Sequence, residues 1–167
     1  MVRLVDQFPA SVSEDGTPGA DLLTLDRQMC FALYSASLAM TRLYKPFLEC
    51  LGLTYPQYLV MLLLWEQDNV SVSDLKARLF LDYGTLTPLL KRLEKQELIT
   101  RYRSADDERQ VRVQLTRQGK ALRQTAQGVP ERVMAASGCS IGEIEELTRE
   151  LVALRGRLQE FVRPEAD

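Results

Sequence analysis

The sequence predicts a mainly α-helical protein that also carries one small β-hairpin, an α+β arrangement. Apolar residues recur at helical spacing through residues 21–51, and residues 54–67 are apolar on nearly every side of a helix. Two runs, ITRYRS and QVRVQLT, alternate β-branched residues with arginine, and the polar segment ADDER separates them. Such a pattern is typical of two strands and the turn that joins them. We therefore expect helices on both sides of a single hairpin.

The first half of the chain predicts a tail and two helices. Residues 1–20 are rich in Pro, Gly, Ser and acidic residues, which predicts a flexible tail. The long helix that follows should be kinked or split by Pro46 and should end at Gly52. Thr54 is a suitable N-cap for a second helix, which should run to about Gln67 and lie at the centre of the core.

The middle of the chain predicts a winged helix-turn-helix. The run SVSDLKARLF forms a short helix capped by Ser71 or Ser73, and a tight connection ending at Gly84 leads into the helix TLTPLLKRLEKQEL. Pro88 is expected in the first turn of that helix, where proline is tolerated. The hairpin then supplies the wing.

Two helices are predicted after the hairpin, over residues 116–127 and 140–162. We expect a break near Gly138, and a further break at 128–130 is left open.

The missing residue types exclude several kinds of site. The chain has no histidine and three widely spaced cysteines, Cys30, Cys50 and Cys139. A Cys-His pair, a Ser-His-Asp triad and a histidine zinc site are therefore impossible, and no C-x-x-C pair suggests a metal knuckle. We expect no metal, no cofactor and no enzymatic activity. The absence of a long apolar run and of a signal-peptide pattern predicts a cytoplasmic protein with reduced thiols and no membrane contact.

The order helix-turn-helix and then hairpin predicts binding to double-stranded DNA. Residues 71–115 alone carry a net positive charge, with nine basic against seven acidic residues. In such modules the second helix enters the major groove and early side chains on it meet base edges. The predicted DNA contacts on this helix and on the hairpin are Tyr83, Thr85, Thr87, Lys91, Arg103, Asp107 and Arg109.

Arginines give the hairpin its expected DNA contacts. Arg109 is expected to enter the minor groove, while Asp107 holds its guanidinium group through a charge-assisted hydrogen bond. We count Arg101, Arg103 and Arg112 as further cations of the same surface. The alternative interpretation is a solvated charged loop beside an ordinary helix and hairpin.

Two long stretches carry a resemblance to a known family. The run VSDLKARLFLDYGTLTPLLKRLEKQELITRYRSADDERQVRVQLTRQGKAL resembles the winged helix-turn-helix of MarR-family regulators. The run LDRQMCFALYSASLAMTRLYKPFLECLGLTYPQYLVMLLLWE is similar to the organic hydroperoxide resistance regulators, the OhrR subgroup. The resemblance implies a homodimeric repressor that binds operator DNA, is induced by organic hydroperoxides, and leaves DNA when a cysteine is oxidised.

The resemblance also gives each region an expected role. The four regions are a flexible tail at 1–20, a dimerisation and redox-sensing helix at 21–53, a winged helix-turn-helix DNA-binding domain at 54–115, and C-terminal dimerisation helices at 116–167.

Cys30 is the candidate sensor, because a sensor must be a thiolate that peroxide reaches. Tyrosine hydroxyls are the obvious donors in a chain without histidine. Tyr34 lies four residues after Cys30 on the same helix face. Tyr44 is fourteen residues away, roughly 21 Å along a helix, so it serves Cys30 only if it comes from a partner chain. A small buried hydrophobic residue is the alternative role for Cys30.

The resemblance assigns the remaining residues of the sensing site. It implies that Cys30 is the peroxide-reactive cysteine and that Tyr44 and Tyr55 are donated across the dimer. In the two-cysteine type, the oxidised sensor forms an intersubunit disulfide with a C-terminal cysteine, a position that Cys139 matches. Cys50 is interpreted as structural.

Three other functions stay open at this point. One is a MarR-type regulator released by a small phenolic ligand, in which Cys30 is silent. Another is a thiol peroxidase that consumes peroxide catalytically. The last is a dimerisation or partner-binding protein that has no salt-dependent affinity for DNA.

Overall fold

A computed structural model of the chain describes residues 23–162. The predicted tail at 1–20 lies outside this range. The described residues fall into two compact units, one that ends at Leu38 and one that begins at Ala39.

The first long helix starts later than its apolar pattern suggested. A single 3₁₀ turn, Leu25–Arg27, precedes helix α1, Met29–Glu49. The helix continues through Pro46, so of the expected kink or split the split does not occur, although this proline cannot donate a backbone hydrogen bond to the preceding turn.

Helix α2, Tyr55–Glu66, is the centre of the core, as predicted. Thr54 is its N-cap, and the Gln57 side chain accepts a 2.9 Å hydrogen bond from the Thr54 N–H, which satisfies a donor that the helix leaves unpaired. Seven of its twelve residues are buried, so little of its surface is left for solvent. Buried residues of α2 are Gln57, Tyr58, Val60, Met61, Leu63, Leu64 and Trp65.

The helix-turn-helix consists of α3, Val72–Leu79, and α4, Tyr83–Lys95. Ser71 caps α3 by accepting the Asp74 N–H at 3.0 Å, and Asp82 caps α4. Pro88 is the sixth residue of α4, so it lies in the second turn rather than in the first turn as expected. The helix nevertheless continues to Lys95.

The hairpin forms where the alternating runs predicted it. Strands β2, Ile99–Arg103, and β3, Val111–Leu115, pair antiparallel, with Arg101 opposite Val113. A two-residue strand that the sequence did not predict, β1, Val70–Ser71, pairs with the other edge of β3. The sheet order is therefore β1-β3-β2.

Three helices follow the sheet: α5, Arg117–Ala126, α6, Val129–Ser137, and α7, Ile141–Val162. The helix break at residues 128–130, which the sequence left undecided, is present: α6 is a separate helix with Pro130 in its first turn. Gly138 ends α6 with φ of +71°, as a left-handed C-terminal residue. Within residues 23–162, no helix combines the length and the apolar character that crossing a bilayer requires.

Candidate functional site

The start of α4 carries the side chains predicted to meet DNA bases. Asp82 accepts hydrogen bonds from the Thr85 N–H at 2.6 Å and the Thr85 hydroxyl at 3.2 Å. The bond from the Thr85 N–H holds the pKa of Asp82 below its usual range. Thr85 and Lys91 are exposed, whereas Thr87 is half-buried. The N-terminal turn of α4 is thus fixed by its cap and faces solvent.

Tyr83 is the first residue of α4. Its side chain is half exposed and contacts the preceding helix, α3. The Lys76 ammonium lies 4.8 Å from the centre of the Tyr83 ring, and the Ser73 and Tyr83 hydroxyls are 3.4 Å apart. These contacts hold the ring across the helix-turn-helix.

The tip of the hairpin presents an exposed guanidinium group, that of Arg109. The Arg109 side chain is 95% exposed. Asp107 accepts hydrogen bonds from the Arg109 N–H at 3.1 Å and from its Nε at 3.4 Å. Arg103 donates from Nη1 to the Glu108 carbonyl at 2.9 Å, which ties the base of the tip together. This arrangement has the form expected of a wing whose arginine points away from the protein.

The other two hairpin arginines contact residues outside the hairpin. Arg101 forms an ion pair with Glu94 of α4, and its hydrogen bonds lower the pKa of Glu94. Arg112 donates to Asn69, from a segment 43 residues earlier. Arg101 and Arg112 thus have protein partners, and the expectation that the four arginines form one cationic surface stays a prediction.

Cys30 is a free, exposed thiol near the start of α1. Tyr34 lies one turn later and is also exposed, at 62%. Both belong to the unit that ends at Leu38.

The other two cysteines occupy different surroundings. Cys139 is a half-buried free thiol in the connection between α6 and α7, where its Sγ lies 3.7 Å from the Ser137 carbonyl. Cys50 is exposed just after α1, and its thiol donates to the Phe47 carbonyl at 3.0 Å. Within the described residues, no cluster of three or more acidic or cysteine side chains is arranged to hold a metal ion.

Three tyrosines cluster where α1 meets α2. The ring of Tyr44 lies 4.8 Å from that of Tyr55 and 6.0 Å from that of Tyr58. Burial raises the pKa of all three, and the neighbouring Tyr55 adds to the shift at Tyr44. Their phenol groups therefore stay protonated at neutral pH and can donate hydrogen bonds.

Sequence reasoning missed Tyr58, although its position gives a signal. It lies three residues after Tyr55, and residues at this spacing share a helix face. Its side chain is almost completely buried, so it supports the Tyr44 ring from inside the core.

Sequence similarity to known proteins shows the family to which the chain belongs. The family described as transcriptional regulator SarA/Rot matches residues 42–125. The organic hydroperoxide resistance transcriptional regulator of Bacillus subtilis (strain 168) is 46% identical over 134 residues, covering 80% of this chain and 91% of that protein.

Solved structures agree with this placement. Reduced AbfR bound to DNA superposes with a TM-score of 0.70 at 33% identity, covering 83% of this chain and 95% of that chain. The disulfide-formed AbfR gives a TM-score of 0.54 at 37% identity, covering 78% and 91%. AbfR is a protein of Staphylococcus epidermidis. The present chain belongs to the MarR family of transcriptional regulators and is of the organic hydroperoxide resistance (OhrR) type.

Proposed function

We propose that the protein is a homodimeric repressor that binds double-stranded operator DNA and releases it when an organic hydroperoxide oxidises Cys30. The observation that carries the proposal is that the Cys30 thiol is free and exposed, in a chain whose helix α4 and wing also carry exposed side chains. The similarity to a regulator named for organic hydroperoxide resistance supports it.

DNA binding rests on α4 and the wing. The capped N-terminus of α4 presents Thr85 and Lys91 to the major groove, and a helix N-terminus attracts phosphate. Arg109 extends from the wing into the neighbouring minor groove. The similar structure of reduced AbfR is described as bound to DNA, which supports this arrangement.

A second copy of the chain completes the operator-binding form. Helix α7 leaves many large apolar side chains exposed, an arrangement that indicates a missing partner. A two-fold dimer would cover them and set the two α4 helices one turn of DNA apart, about 34 Å. The exposed apolar side chains of α7 are Ile141, Leu147, Leu151, Val152, Leu158, Phe161 and Val162.

The sensing step begins with the Cys30 thiolate. The partner's Tyr44 and Tyr55, together with Tyr34, donate hydrogen bonds that favour the charged sulfur. The thiolate attacks the terminal oxygen of the hydroperoxide, so an S–O bond forms as the O–O bond breaks. Sulfur is oxidised to a sulfenic acid, while the alkoxide takes up a proton and leaves as an alcohol.

Resolution of the sulfenic acid uses the second cysteine. The thiol of the partner's Cys139 attacks the sulfenic sulfur, an S–S bond forms, and one water leaves. Cys139 suits this role because it lies in the connection between two helices, next to the left-handed Gly138. The disulfide between the chains reorients the winged modules. A DNA-binding free energy that is less favourable by about 3 kcal/mol in the disulfide-linked dimer than in the reduced one lowers DNA affinity by more than 100-fold.

Release of DNA by hydroperoxide tests the proposal. A duplex selected from a random library by the reduced protein is labelled, and fluorescence anisotropy follows its release by cumene hydroperoxide. We expect release from the wild type and from Cys50→Ser, and none from Cys30→Ser.

Two outcomes would favour the other functions. If Cys30→Ser releases DNA as the wild type does, oxidation of Cys30 is not the signal, and release by salicylate would then identify a phenol-responsive regulator. If the protein consumes hydroperoxide over many turnovers with dithiothreitol and lacks salt-dependent DNA binding, it is a thiol peroxidase.

A further inference from the structure

The turn between α2 and β1 holds both strands of the wing through one side chain. Asn69 Oδ1 accepts a hydrogen bond from the Tyr102 hydroxyl of β2 at 2.7 Å and another from Arg112 Nε of β3 at 2.9 Å. The Asn69 carbonyl also accepts a hydrogen bond from Arg112 Nη2. One residue outside the hairpin therefore contacts both of its strands.

The preceding residue fixes this turn to the far end of β3. Asp68 Oδ1 accepts hydrogen bonds from the Leu115 N–H and from the Asn69 N–H, each at 2.8 Å. Its other carboxylate oxygen lies 3.0 Å from the Lys120 ammonium of α5. The position of Asn69 is thus set by backbone that belongs to the sheet and to α5.

Each of the three nitrogen atoms of the Arg112 guanidinium group donates a hydrogen bond. Nε and Nη2 donate to Asn69, and Nη1 donates to Gln110 Oε1 at 3.0 Å. Gln110 directly follows Arg109, the exposed arginine of the wing tip. The chain of contacts therefore leads from the Asn69 turn to the base of the tip.

The backbone pairing on this edge of the wing is short. β1 contributes only two residue pairs to the sheet, Val70 with Val113 and Ser71 with Arg112. So short a strand determines the angle of a hairpin poorly by itself. The side-chain contacts of Asn69 supply the additional constraint.

We propose that Asn69 is a positioning residue for the wing, which sets where Arg109 meets DNA. The proposal rests on the proposed DNA-binding function. Asparagine suits the position for two reasons: its φ is +59°, which asparagine tolerates better than most residues, and its amide oxygen accepts from two donors at once. Asn69→Gly keeps the backbone conformation and the carbonyl acceptor but removes the side-chain acceptor Oδ1, whereas Asn69→Asp keeps a side-chain oxygen at this position.

Hydrogen exchange in the free protein tests the positioning without DNA. We expect Asn69→Gly to raise amide exchange of residues 99–115 while exchange of α2 stays unchanged, and Asn69→Asp to behave as the wild type. Unchanged exchange in the hairpin of Asn69→Gly would overturn the proposal, whatever the protein does with DNA.

A double-mutant cycle with Arg109 tests the consequence for DNA binding. We expect Asn69→Gly to weaken binding about tenfold and to reduce the salt slope by about one, as the loss of one arginine contact would. In the Arg109→Ala background the same substitution should cost almost nothing, because the contact it positions is already gone. An additive loss would overturn the proposal. If the wild type itself shows no salt-dependent DNA binding, the proposed function fails, and hydrogen exchange still decides the role of Asn69.

Discussion

The ring of Tyr44 on α1 packs 4.8 Å from the ring of Tyr55 on α2, with the two planes tilted by 52°. Packing, and not a mutual hydrogen bond, holds this pair: within residues 23–162 neither hydroxyl is hydrogen-bonded to protein. Tyr58 supports Tyr44 from the buried side. The pair therefore offers two phenol donors held side by side, as a thiolate from another chain would require.

Removing either phenol hydroxyl should make Cys30 less reactive. A hydrogen bond to a charged group contributes about 1.5–3 kcal/mol, so Tyr44→Phe or Tyr55→Phe should slow the reaction of Cys30 about tenfold or more. The rings remain and keep their packing. The rate of Cys30 alkylation by iodoacetamide at neutral pH, followed by mass spectrometry, measures the loss. Tyr83→Phe is the control, and an unchanged rate in both sensor variants would contradict the proposed donors.

Gly119 should not tolerate a side chain. A Cβ there would lie 2.0 Å from the Leu98 carbonyl oxygen, a backbone atom, and the Gly119 carbonyl accepts the Trp65 indole N–H at 2.9 Å. We expect Gly119→Ala to lower the free energy of unfolding by about 1–3 kcal/mol, measured in urea. Gly142→Ala is the control, since a Cβ at that position meets nothing within 4 Å. Equal stability of the two variants would show that α5 does not pack as described.

Arg109 should account for a measurable share of DNA affinity. Because Asp107 is the one partner of its side chain within residues 23–162, Arg109→Ala is expected to weaken operator binding about tenfold or more and to reduce the salt slope by about one. Arg123→Ala removes an exposed charge from α5 and should leave binding nearly unchanged. A larger effect from Arg123 than from Arg109 would place the DNA on another surface.

Asp68 should stabilise the fold at neutral pH and lose that role in acid. Burial alone would raise its pKa, but hydrogen bonds from the Leu115 N–H, Lys120 and the Asn69 N–H together lower it below the ordinary 3.8. A lowered folded-state pKa means that the contribution is present above the unfolded value and disappears as the pH falls through the folded value. Wild type should therefore be more stable than Asp68→Asn at pH 7. The difference should start to shrink near pH 3.8 and disappear as the pH falls through the lower pKa of the folded state. A difference that persists at pH 2 would contradict the role of the charge.

Local patterns predicted most of the helices and the hairpin because their signals lie within a few residues. Thr54, Asp82 and Thr116 each cap the helix that follows them. By contrast, β1 has only two residues, too few for an alternating pattern, and exists because β3 offers it an edge. Pro46 does not split α1, which was one of the two effects expected of a proline at this place.

The sequence suggested which residue types belong to the candidate site, but it did not predict which partners their side chains contact. Arg101 and Arg112 have the same local pattern as Arg103, yet their partners, Glu94 and Asn69, become neighbours only when the hairpin packs. A contact between residues 43 positions apart leaves no local signal in a single sequence. The partner chain in the proposed sensing step would likewise come from a dimer, which the pattern of one sequence does not describe.

Peptide mapping of the peroxide-treated protein under non-reducing conditions tests the central proposal most directly. Chains carrying Cys30→Ser are mixed with chains carrying Cys139→Ser, so that a Cys30–Cys139 disulfide forms only between chains. The proposal predicts that cumene hydroperoxide links the Cys30 peptide to the Cys139 peptide in the mixed dimer, and in the wild type to the same extent as DNA is released. Release of DNA while Cys30 remains an unmodified thiol, or is joined to Cys50, would contradict it.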